Sequence, residues 1–183
     1  MHKSTITFTK EKREKWVAFV QSLTSDVNPQ AVRLIDEIRV IAHTLYQIGE
    51  LSVTTTGLSY AKYRLLMGLY FCERLEGRCD MNPSEISEQQ GTSRNTISAL
   101  IRDLEEDGLL QRSLDKTDRR KFNIGLTDEG RRLVHDHVSN HFRTIAGCFG
   151  VLDPDEQETF SQLLTKLSGS VYQAHEAARE RAL

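Results

Sequence analysis

Apolar residues recur every three or four positions along most of this chain, and polar or Gly-Pro interruptions divide the pattern into a series of helices. Residues 10–23 place Trp16, Phe19, Val20 and Leu23 on one side of a short amphipathic helix, and residues 24–27 break it. Asn28-Pro29 opens the next, with Asn as N-cap and Pro at the first helical position; Val32, Ile35, Ile38, Ala42, Leu45 and Ile48 carry it to about Leu51. Three successive threonines and Gly57 close it. Ser59 caps a helix over 60–76, with Tyr63, Leu66, Met67, Tyr70 and Phe71 as a broad stripe and Gly77 as its stop. Asn82-Pro83 repeats the cap-then-Pro device for a short helix through Gln90, anchored by Ile86, and Gly91 supplies a turn. Thr92 then serves as N-cap of a helix with Ile97, Leu100, Ile101 and Leu104 inward, ended by Gly108. Here the period changes. Residues 109–114 and 122–127 read as two short strands around a charged loop, 115–121. A long helix follows to about Phe149 through Leu133, Val134, Val138 and Phe142, acidic at its start as the helix dipole favours. Asp153-Pro154, with Glu156 at the capping-box position, begins the last one, whose apolar face runs through Phe160, Leu163, Leu164, Leu167, Val171 and Tyr172.

The helix over 92–107 has an unusual second side. Asn95, Ser98, Ala99 and Arg102 are small or hydrogen-bonding, so that side leaves room for something to approach. A polar-faced helix followed by a basic hairpin is the arrangement by which a winged helix-turn-helix meets DNA, helix in the major groove and hairpin on the backbone and minor groove. The residues also carry a resemblance. The run D-x-x-D-R-R-x-x-x-I-x-L-T-x-x-G, from Asp115 to Gly130, resembles the wing signature of the multiple antibiotic resistance regulators, the MarR family. The stretch E-I-S-E-x-x-G-x-S-x-x-T-I-S-x-L-I-x-x-L-E-x-x-G-L-L, from Glu85 to Leu110, is similar to that family's helix-turn-helix, although Ala99 stands where many members carry a longer polar or basic residue.

The fold expected is mainly α with a small antiparallel β-wing: one MarR-like domain whose winged helix-turn-helix lobe (59–127) is flanked by N-terminal (10–55) and C-terminal (128–183) dimerisation helices. The long apolar faces at both ends of the chain point the same way, because one small winged domain cannot cover them, and a symmetric dimer would present two recognition helices to a pseudo-palindromic site. Expected DNA contacts are Arg94, Asn95, Ser98 and Arg102 in the groove and Thr92, Ser93 and Arg112 on phosphate. The resemblance implies that Arg120 is the wing arginine of the minor groove, with Asp118 orienting it and Arg119 adding charge beside it. It further implies a small effector bound between the dimerisation helices and the winged lobe, for which His43, Tyr46, Tyr63 and Met67 offer polar tips among apolar walls.

Composition narrows the alternatives. With 183 residues, 38% hydrophobic and 27% charged, the chain has the make-up of a folded protein. No stretch is long and apolar enough for a membrane span, and the N-terminus has no signal-peptide core, so a cytoplasmic protein without membrane partners is expected. A net charge of −2 argues against a protein that coats nucleic acid indiscriminately, but the wing is locally basic, with Arg112, Lys116, Arg119, Arg120 and Lys121 against Asp115 and Asp118. Cys72, Cys79 and Cys148 lack metal-ligand spacing and suit a reducing compartment. Read functionally they are a thiol switch; read plainly they are structural or incidental thiols, the preferred reading because the redox sensors of the family carry the reactive Cys in the N-terminal helix. His137 and His141 share a helix face near His135, yet no third metal ligand is identifiable, and His43 and His175 would have to converge through the fold. No catalytic motif is present. A non-enzymatic, ligand-responsive repressor binding duplex DNA as a homodimer, without metal or cofactor, is the expectation. The alternative is a winged-helix module that binds protein.

Overall fold

The computed structural model describes residues 10–24, 26–78, 80–114 and 122–181. The chain divides into two compact units, Met1–His137 and Val138–Leu183, with the division inside a helix. In order, the elements are α1 (Lys10–Leu23), α2 (Pro29–Ser52), α3 (Tyr60–Phe71), α4 (Pro83–Gln90), α5 (Arg94–Glu106), β1 (Leu110–Leu114), β2 (Phe122–Leu126), α6 (Asp128–Ala146) and α7 (Pro154–Arg181). The chain is mostly helical with one two-stranded antiparallel sheet, as expected.

In the first unit, the caps do what short polar side chains do at a helix start. Asn28 accepts from the Gln30 amide, Ser59 from that of Lys62, and Asn82 forms a reciprocal capping box with Glu85. The core runs through Val53, Tyr63, Leu65 and Leu66, the α4 anchor Ile86, the inward stripe of α5 (Ile97, Ile101, Leu104), Ile124 and Leu126 of β2, and Val134 of α6. α1 packs on α2 through buried Val17, and Arg13 reaches the buried carboxylate of Asp36 at 3.3 Å, with Arg39 on its other oxygen at 2.6 Å. A buried carboxylate is tolerable only with such partners.

Several boundaries differ from expectation. The N-cap of α5 is Ser93, not Thr92: Ser93 has the extended backbone of a cap (φ −60°, ψ 148°), and its Oγ accepts from the Thr96 amide at 3.2 Å. Thr92 belongs to the turn, its amide donating to Ser87 O. The first strand begins at Leu110, because the Leu109 amide is spent on Leu104 O at 2.9 Å; with Gly108 donating to Glu105 O this closes α5 in a Schellman motif. Gly108 takes the left-handed conformation that motif requires (φ 72°). Finally, the expected helix 60–76 is α-helical only to Phe71; residues Cys72–Glu76 form a π-helical turn before Gly77. The long helix is likewise α-helical to Ala146 and finishes in a 3-10 turn over Gly147–Phe149.

Strands β1 and β2 pair from Leu110↔Leu126 to Leu114↔Phe122, and Met81 adds a bridge to Ile124, donating and accepting at 3.0 and 2.8 Å. The hairpin loop, residues 115–121, lies outside the described residues, and so do Ser25 and Cys79.

The second unit holds the end of α6 and all of α7. Asp153 and Glu156 exchange backbone-to-carboxylate bonds at 2.9 Å, the expected capping box. α7 is 28 residues long and has no buried residue. Its whole apolar stripe is exposed, from Phe160 (38%) to Tyr172 (72%).

Candidate nucleic-acid interface

α4, the turn at Gly91 and α5 form the helix-turn-helix. Gly91 adopts the left-handed conformation (φ 60°) that lets the chain reverse between them. Because Ile97, Ile101 and Leu104 are buried, the opposite side of α5 must face outward, at about 100° per residue. Asn95, Ser98, Ala99 and Arg102 are exposed there, and Arg94 is exposed at the first position of the helix. Neither Arg94 nor Arg102 makes an ion pair with a described residue; Asn95 and Ser98 add hydrogen-bonding groups, and Glu106 lies one turn beyond Arg102 along the helix. The cap tightens its leading end, where Ser93 Oγ and Thr96 Oγ1 lie 2.9 Å apart.

The acidic end of the same helix is held from both flanks. Lys62, near the start of α3, places Nζ 3.1 Å from Asp107 and 3.6 Å from Asp103. Burial alone would lower the Lys62 ammonium, but the two aspartates outweigh it and raise it. On the other flank Arg112 Nε donates to both oxygens of Glu105, at 2.7 and 2.9 Å, and that bond holds the guanidinium in its charged form. Arg112, expected on phosphate, is thus turned toward its own recognition helix. The remaining residues expected on phosphate, Thr92 and Ser93, sit at the turn. Their hydroxyls serve it, Thr92 donating to Gln90 O and Ser93 accepting as the cap. Asp118, Arg119 and Arg120 lie outside the described residues.

Behind α5 the lobe is tied to the start of α6. Arg131 Nε meets both oxygens of Glu73, in the π-helical turn, at 2.9 Å, and its Nη1 reaches Asp128 at 2.7 Å. Gly130 stands where a Cβ would lie 2.3 Å from Leu109 O, so α6 can begin against the end of α5 only with glycine there. The family signature's L-T-x-x-G has a plain reason: Thr127 Oγ1 donates to Gly108 O and accepts from the Gly130 amide.

Residues 56–121, which include the turn, the recognition helix and β1, match the family model described as MarR family. Among curated proteins, the chain is 29% identical over 111 residues to the transcriptional repressor YetL of Bacillus subtilis, covering 61% of this chain. It spans 64% of the length of that relative. Among solved structures, Staphylococcus aureus MepR in complex with DNA superposes with a TM-score of 0.64 at 27% identity, over 73% of this chain and 94% of MepR. The helix-turn-helix region of the chain is thus similar to the MarR family. A second similar structure, Bordetella bronchiseptica BpsR, whose DNA binding is regulated by 6-hydroxynicotinic acid, matches with a TM-score of 0.62 at 25% identity over 73% of this chain and 91% of its own.

Of the four residues expected to form a MarR-type effector pocket, Tyr46, Tyr63 and Met67 gather around Tyr60. Tyr63 is fully buried in a cluster with Val53 and Tyr60, and Met67 packs against that cluster. His43 is exposed on α2. Tyr46 stacks edge-on against Tyr60, ring centroids 5.0 Å apart, and borders a cavity of about 90 Å³ with Arg64, Gln90, Thr92 and Thr96. Sequence reasoning passed over Arg64, whose guanidinium lies 6.0 Å from the Tyr60 ring centre, and over Lys62. The only available signal for Lys62 was the run of acids ending α5, which calls for a cation from elsewhere.

The candidate sensing residues are separated. Cys72 is buried, and burial pushes its thiol up, away from the reactive thiolate. Cys148 is exposed in the second unit, and Cys79 lies outside the described residues. His137 Nδ1 bonds Leu133 O at 2.9 Å, His135 Nδ1 is 3.4 Å from Tyr70 Oη, and His141 is buried. Among the described residues no three His, Cys, Asp or Glu side chains come together as a metal site.

Proposed function

We propose that this chain is a sequence-specific, duplex-DNA-binding transcriptional regulator that acts as a homodimer and represses until a small effector binds. The observation that carries the reading is the outward side of α5. An exposed helix that carries Arg94, Asn95, Ser98 and Arg102 along its first turns, ahead of the acids that end it, with a capped entry, is what base edges and phosphates in a major groove require. MepR, to which the chain is similar over 94% of MepR's length, was solved in complex with DNA. Arg120, with Asp118 beside it in the sequence, is the proposed minor-groove contact, because a guanidinium suits the negative potential of a narrow A·T groove.

The homodimer is supported by the exposed apolar stripes. Trp16, Phe19, Ile35 and Ile38 of α1 and α2, and Phe160, Leu163, Leu164 and Leu167 of α7, are large apolar side chains open to solvent. A 28-residue helix with no buried residue needs a partner to be stable in water. The effector reading is supported by BpsR, which responds to a small aromatic acid. Its proposed residues remain His43, Tyr46, Tyr63 and Met67, with Tyr46 alone of the four bordering the small cavity behind α5. An effector can act only through a difference in affinity between the DNA-bound and free arrangements. Selection from a random duplex pool tests the function: enrichment of a pseudo-palindrome with half-sites about one helical turn apart supports it, and enrichment of nothing above the input pool refutes it.

A further inference from the structure

The recognition helix ends in Asp103, Glu105, Glu106 and Asp107, at the pole where its own dipole is already negative. Asp103 and Asp107 are also one turn apart, a like-charge pair that weakens a helix on its own. These charges would repel phosphate if left free. At about 100° per residue, Asp103 and Asp107 lie on one flank of buried Leu104 and Glu105 on the other, while Glu106 shares the outward side with Asn95 and Arg102. Each flank meets a cation from a different element: Lys62 of α3 on Asp107 and Asp103, Arg112 of β1 on Glu105. Lys62 is well placed to hold still. Its own amide is bonded to the Ser59 cap, and its neighbours Tyr60 and Tyr63 are buried.

We infer that Lys62 and Arg112 are positioning residues, which grip the C-terminal half of α5 from opposite flanks and withhold three carboxylates from the DNA. The apolar stripe fixes which side of α5 faces inward, but a stripe of smooth side chains resists sliding along the helix axis weakly. Two ion pairs anchored in α3 and β1 fix that position, and with it the register of Asn95, Ser98 and Arg102 on the bases. The inference rests on the DNA-binding reading above. The competing role for either cation is direct phosphate contact, and the two roles differ in sign. Neutralising the acid releases the cation: a phosphate contact would then strengthen, whereas a grip would be lost.

The test uses the full-length chain with fluorescein-labelled duplex taken from its own selection and a scrambled duplex of equal composition. Asp107→Asn and Glu105→Gln each remove a negative charge beside the DNA. The grip predicts that both nonetheless lose about tenfold in affinity for the selected duplex, the scale of one misplaced base contact, while affinity for the scrambled duplex holds or rises. The exchanged pair Lys62→Asp with Asp107→Lys restores the preference. Without DNA, amide hydrogen exchange over residues 104–108 quickens in Lys62→Met. A wild type that selects no duplex refutes the DNA-binding reading, and exchange then decides the grip alone. Asp107→Asn and Glu105→Gln that bind both duplexes more tightly, or unchanged exchange in Lys62→Met, overturn the inference.

Discussion

Single side chains decide how closely the parts of the winged lobe approach each other. Gly130 shows this most directly, since a methyl group there meets the Leu109 carbonyl at 2.3 Å. Gly130→Ala should lower stability by about 1–3 kcal/mol, as overpacking does in a closed core, and a chemical denaturation curve would read it; an unshifted midpoint would mean that α6 can move away freely. His141 is a second case. Burial depresses its imidazole below the ordinary value, so the fold favours the neutral ring. The unfolded chain then binds the proton more readily. The stabilisation is intact above the unfolded value of about 6.5 and is lost as pH falls from there through the depressed folded value. Melting temperature should fall from pH 7.5 to 5.5, and less so in His141→Gln; equal slopes in both proteins would remove His141 from the account. Residues of this kind were only partly legible in the sequence. Gly130 stood in the L-T-x-x-G motif without a visible reason, and Lys62 was invisible because its partner Asp107 is 45 positions away. Asp36, expected on a helix, turned out to be buried because Arg13 comes from a different helix to meet it.

Elements were far easier to read than contacts, because helix starts are written in neighbouring residues. Asn28, Ser59, Asn82 and Asp153 all precede their helices as the sequence suggested, since each cap needs only its own side chain and an amide two or three residues on. The exception is informative. Thr92 and Ser93 are both capping types, and only the backbone, with Thr92 held in the turn to Ser87, decides for Ser93. The π-helical turn at Cys72–Glu76 was illegible, because its spacing of apolar residues does not differ from that of an α-helix end. Ser93→Ala should cost about 1 kcal/mol by loss of the α5 cap, read by thermal melting, and Ser93→Asp should recover it because Asp caps as well. Equal melts for Ser93→Ala and wild type would contradict the assignment of the cap.

At the scale of the molecule, the exposed apolar faces and the outward side of α5 are what the proposed dimer would use to set two recognition helices on one duplex. Leu164→Glu with Leu167→Glu places charge in the middle of the α7 stripe, and sedimentation should then show monomers at micromolar concentration where wild type shows dimers; a wild type that sediments as a monomer removes the two-half-site arrangement. The outward side of α5 was legible from the sequence through the periodicity of Ile97, Ile101 and Leu104, and the structure exposes the residues that periodicity left over. The separate places of the expected effector residues were not legible, because a tyrosine amid apolar neighbours reads alike whether it fills a core, as Tyr63 does, or borders a cavity, as Tyr46 does. The central claim is that the exposed cations of α5 meet DNA, and fluorescence anisotropy on the selected duplex across a salt series tests it most directly. Arg102→Ala should weaken binding by about 1–3 kcal/mol per subunit with a shallower salt dependence and an unchanged melt. Affinity and salt slope equal to those of wild type would contradict the account.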